Sequence, residues 1–176
     1  MKRLSETAAL EKIRELKRRF RERIRESYEH NAAPCSTCST PGACCLDAHF
    51  VNVRISRLEA VSIRRAIDDL PVGKSHEVEQ KINDAITTFR LDDDGDSRKT
   101  FACPLYDRES GCLVHETGKP LPCIHHACYE RKEDLPPDEL LDEAELSVER
   151  LNRRVYGRQL PLLPLPVAIK NVSGSV

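Results

Sequence analysis

From Ser5 to about Glu29 the apolar residues Leu10, Ile13, Leu16, Phe20, Ile24 and Tyr28 recur at steps of three and four, with Arg, Lys and Glu between them. That period draws one apolar stripe along a helix and leaves the opposite face charged. Asn31-Ala32-Ala33-Pro34 ends the pattern. Phe50 to Ile55 then alternates apolar and polar residues, as a short strand does. Ser56-Arg57-Leu58-Glu59 fits a capping box and opens a helix expected to bury Leu58, Val61, Ile63, Ala66, Ile67 and Leu70. Pro71 and Gly73 should stop it.

A further helix is expected from near Ser75, with Val78, Ile82, Ala85, Ile86 and Phe89 facing inward. The acidic run Asp92 to Asp96 reads as a solvated turn. Placing Gly95 at the sixth position of a calcium loop would put Arg90 at the first ligand position, so it is not an EF-hand. Pro136-Pro137-Asp138 begins a last amphipathic helix, whose buried face should be Leu140, Leu141, Ala144, Val148, Leu151 and Val155, with Gly157 as its stop. Prolines at 161, 164 and 166 predict an extended tail.

Charge changes this picture only locally. The formal net charge is -1, which supplies no global field for nucleic acid or an anionic membrane. Residues 1–30 nevertheless hold ten Lys or Arg against six Glu, and residues 130–149 hold nine acidic residues against Arg131 and Lys132. These segments, with the proline-rich tail, are the candidate surfaces for a protein partner or self-association. No base-reading motif accompanies the basic stretch, so no nucleic-acid partner is expected. The chain shows neither a signal-like apolar stretch nor a membrane-spanning one, and a cytoplasmic location is expected.

The chemistry gathers in eight cysteines that fall into two groups. Cys35, Cys38, Cys44 and Cys45 lie in CSTCSTPGACC, and Cys103, Cys112, Cys123 and Cys128 lie in CPLYDRESGCLVHETGKPLPCIHHAC. A two-residue gap such as Cys35-Ser36-Thr37-Cys38 lets a tight turn aim both sulfurs at one ion. The surrounding loop is rich in Pro, Ser, Thr and Gly, which speaks against a thioredoxin-like redox pair at a helix start. In a reducing cytosol so many thiols point to metal rather than to disulfides. Adjacent side chains on an extended backbone diverge, so Cys44 and Cys45 serve different metals, or one ligates while the other packs; two independent cysteine sites and one multinuclear cluster both fit. Cys103-Pro104 matches the Cys-Pro step of ferredoxin-type clusters. Gly111 permits a tight turn before Cys112. His125 and His126 are borderline ligands, since imidazole suits zinc and iron, but eight thiols already suffice for two tetrahedral sites, so they, like His115 and His49, read first as surface residues or outer hydrogen-bond donors.

The ordered motifs C-x2-C with a following Cys-Cys, then C-P-L-Y-D, G-C-L-V-H and K-P-L-P-C, resemble the YkgJ-like cysteine-cluster family, whose domain is described as zinc- or iron-chelating. The resemblance runs from about Cys35 to Cys128. It implies metal binding by all eight cysteines. The chain departs from the family's pattern in a longer gap before Cys44-Cys45 and in Lys119 where an arginine is usual, which removes a planar fork.

The expected fold is mainly α with a short β element, a small irregular metal-stapled single domain flanked by helices. Residues 1–31 would form the amphipathic N-terminal helix, 32–135 the cysteine-cluster domain, 136–157 the C-terminal helix and 158–176 the extended tail. The expected function is chelation of zinc or iron, the latter as an ion or an iron–sulfur cluster. The alternative is a zinc-stapled protein-interaction module with purely structural metal. No catalytic triad, phosphate loop or dinucleotide fingerprint is present, so any enzymatic activity would belong to the metal.

Overall fold

A computed structural model describes residues 2–33, 40, 42–46, 51–92, 98–129 and 131–173. The protein is mainly helical. Its helices in chain order are α1 (Glu6–Ser27), α2 (Ala43–Leu46), α3 (Arg57–Asp68), α4 (Val72–Phe89), α5 (Leu121–His125), α6 (Asp138–Tyr156) and α7 (Leu165–Lys170). The strands are β1 (Ala32–Ala33), β2 (Arg54–Ile55), β3 (Tyr106–Asp107), β4 (Gly111–Cys112), β5 (Cys128–Tyr129) and β6 (Leu163–Pro164), paired antiparallel as β1–β5, β2–β6 and β3–β4. No helix among the described residues is long and apolar enough to cross a membrane.

The chain divides into two compact units, one from residues 1–41 and 120–160, the other from residues 42–119 and 161–176. The first unit packs α1, α5 and α6 together. Ser5 caps α1 by accepting the Ala8 amide at 3.3 Å, so the helix starts where the apolar stripe does. The stripe itself runs through Leu10, Ile13, Lys17, Phe20 and Ile24, while Leu16 is half-buried. Lys17 is buried there together with its ammonium nitrogen. The basic α1 meets the acidic α6 within this unit, where Tyr156 donates to Glu6 at 2.7 Å and the Leu4 amide donates to the Arg154 carbonyl at 3.1 Å. Gly157, at φ 75°, ends α6 in the left-handed conformation its stop requires.

The second unit holds a core of Val51, Ile55, Ile63, Ile67, Val78, Ile82, Phe101, Leu105, Leu165 and Ile169, among others, all buried. The Ser56–Glu59 capping box forms as its sequence requires. Two expectations fail here. The helix expected from Ser75 starts at Val72 instead, because Pro71 occupies the N-cap and lacks only an amide the first turn leaves unbonded anyway. The tail expected to be extended through Pro166 is extended only to Pro164. It then forms α7, with Pro166 in the first turn and Leu165, Pro166, Ala168 and Ile169 buried against α3 and α4. Leu165, Ala168 and Ile169 share one helix face, and burial of that face outweighs the proline signal.

Candidate metal centre

The structure brings members of both cysteine groups together in the second unit. Gly42 takes φ +78° and its carbonyl accepts the Cys45 amide at 2.8 Å and the Leu46 amide at 3.0 Å, winding residues 43–46 into the single turn α2. Cys44 and Cys45 therefore sit on a helical turn rather than on the extended backbone expected. Neighbouring thiols on such a turn can meet, and the Cys45 hydrogen bond lowers the Cys44 pKa to about 6, helped by the nearby positive charge of Lys119. The Cys103 amide donates to the Cys45 carbonyl at 2.7 Å, tying the first group to the second.

Cys112 is delivered by a hairpin. Tyr106 pairs with Cys112 and Asp107 with Gly111, while the Leu113 amide donates to the Leu105 carbonyl at 3.0 Å. Asp107, buried to 7 % exposure, shapes the turn by accepting from the Glu109 amide at 3.0 Å, the Ser110 amide at 2.9 Å and the Ser110 hydroxyl at 2.8 Å. Its other oxygen accepts from Lys74 at 2.9 Å, and the Lys74 ammonium holds this carboxyl well below the usual range. Gly111, at φ +76°, completes the turn. Burial pushes the Cys103 thiol up to about 12, with the charges of Cys112 and Cys44 adding to the rise. Cys103 and Cys112 also pack against the hydrophobic core.

Sequence reasoning singled out Gly111 but missed Asp107, Lys74 and the Gly42–Tyr106 contact. The signal for Asp107 was present in Asp-x-x-Ser-Gly between two strands, the pattern of a side chain that caps its own turn. Nothing local foretells that the Tyr106 ring lies where a Cβ on Gly42 would be.

The first unit carries Cys123 and Cys128. Leu121 and Ile124 bury one side of α5, and the half-buried Cys123 lies between them in sequence. Cys128 stands opposite Ala33 in the β1–β5 pair. Cys35, Cys38, His49 and the acidic positions 93, 94 and 96 lie outside the described residues. His125 stacks on Phe20 at 6.4 Å between ring centroids, with its Nε2 3.2 Å from the Pro137 carbonyl oxygen. His115 has its Nε2 3.8 Å from Glu116.

All six described cysteines are thiols, none joined in a disulfide. Among the described residues no group of three or more His, Cys, Asp or Glu is preassembled around a common point to hold an ion. The thiols themselves, on a short turn and a hairpin, suit a soft or borderline metal. Comparison with family models, with curated proteins and with solved structures finds no match to this chain.

Proposed function

We propose that this protein chelates zinc or iron through its cysteine thiolates in two centres, one per compact unit. The first would use Cys44, Cys45, Cys103 and Cys112. The second would use Cys35, Cys38, Cys123 and Cys128. The observation that carries the reading is the Cys103 amide bonded to the Cys45 carbonyl at 2.7 Å, which joins cysteine groups far apart in sequence. Ala33, two residues before Cys35 in sequence, is the strand partner of Cys128. Each centre would then draw two sulfurs from each group, and each metal would close a long loop.

Four thiolates complete a tetrahedral zinc site and supply folding free energy, whereas iron with sulfide would add electron transfer. Packing of Cys103 and Cys112 on the core favours a structural part for the first centre. The six described cysteines, as thiols, accord with a cytoplasmic setting. The order of the cysteine motifs makes the chain, in this reading, a divergent relative of the YkgJ-like family.

Oxygen-free purification followed by metal and acid-labile sulfide analysis tests the proposal. A colourless protein with stoichiometric zinc identifies structural zinc, and a brown one with sulfide identifies an iron–sulfur protein. A fully folded chain that takes up neither metal overturns the reading.

A further inference from the structure

Beside the Cys103 hairpin the second unit contains an open cleft of about 540 Å³, within the size range of small-molecule sites. One wall is the face of α4 that carries Lys74, Lys81, Asp84 and Thr88, and the other is the segment from Cys103 to Glu109. Leu46, Ala85, Phe89 and Pro104 give it an apolar lining. Lys74 and Asp107 neutralise each other across it at 2.9 Å. What remains is one charge of each sign on each wall: Lys81 with Asp84 on the helix, Arg108 with Glu109 on the hairpin. All four are exposed at the cleft, and Lys81 also donates to the Tyr106 carbonyl at 3.3 Å.

A simple anion or a simple cation would meet repulsion from half of these charges. A molecule with one ammonium, one carboxylate and an apolar body matches the walls and the lining together. We propose that this cleft binds a small zwitterion of the size of a dipeptide with apolar side chains. The occupant would lie against Cys103, a ligand of the first proposed centre, but its recognition uses no thiol.

The test is calorimetric titration of the purified full-length protein with leucyl-leucine, N-acetyl-leucyl-leucine and leucyl-leucine amide, which share a body but carry both charges, only the anion or only the cation. Saturable binding of leucyl-leucine is expected, with each capped form weaker by about two- to fivefold, the worth of an exposed ion pair. Lys81→Met should weaken leucyl-leucine and the acetylated form but leave the amide unchanged. Asp84→Asn should weaken leucyl-leucine and the amide but leave the acetylated form unchanged. Both side chains are exposed, so both variants should keep the parent circular-dichroism spectrum. No saturable binding, equal binding of all forms, or variants that act on every form alike would overturn the proposal.

Discussion

Gly42 and Gly111 share a left-handed backbone, at φ +78° and +76°, but differ in what surrounds them. A Cβ on Gly42 would overlap the Tyr106 ring, whereas one on Gly111 would meet nothing within 4 Å. Gly111→Ala should therefore cost only the backbone term, about 1 kcal/mol. Gly42→Ala should cost about 3 kcal/mol or more, since steric displacement adds to it. Thermal melts of the two variants measure the difference, and equal losses would show that the ring does not press on Gly42. Asp107 makes a prediction with a definite sign. Its folded-state pKa is depressed, first by Lys74 and then by Ser110, so its contribution is present above the unfolded carboxyl pKa of about 3.9 and is lost as pH falls through the lower folded value. Asp107→Asn should melt below the parent protein at pH 7, and the gap should close as both are acidified below pH about 4. A gap that persists or widens in acid would contradict the ion pair. These residues were partly legible: the Asp-x-x-Ser-Gly turn has a local signature, while the seat of Tyr106 on Gly42 joins positions far apart in the chain.

Elements with strong periodicity and local caps are those the sequence predicts well. Ser5 opens α1, the Ser56–Glu59 box opens α3, and Gly157 closes α6, because each cap bonds groups only a few residues away. The weaker forecasts concern segments whose conformation is decided by distant partners. Strand β6 forms because β2 lies beside it, with Ile55 opposite Leu163, and α7 follows because its apolar face reaches α3 and α4. Ile169 has no exposure. Ile169→Ala should accordingly destabilise the protein by about 2–5 kcal/mol, read from denaturant midpoints. An effect below about 0.5 kcal/mol, the ordinary size for surface changes, would restore the picture of an exposed tail.

At the scale of the whole chain, the two compact units divide the eight cysteines four and four, and each set contains two from the early group and two from the late one. If the two proposed centres form, Cys112→Ser should remove one metal per chain and leave the other, and Cys123→Ser should do the same for the second centre; elemental analysis of the two variants, with limited proteolysis of each, reads this out. Loss of all metal from either variant would indicate one shared cluster. The sequence by itself determined the amphipathic helices, their caps and the presence of a thiol-rich chemistry, because these depend on spacing and on side-chain type within a few residues. Which cysteines become neighbours, that Cys44 and Cys45 share a helical turn, and that the proline-rich end folds into the core were decided only by the tertiary structure. Those outcomes depend on contacts between distant segments, whose burial and backbone bonding no local pattern encodes.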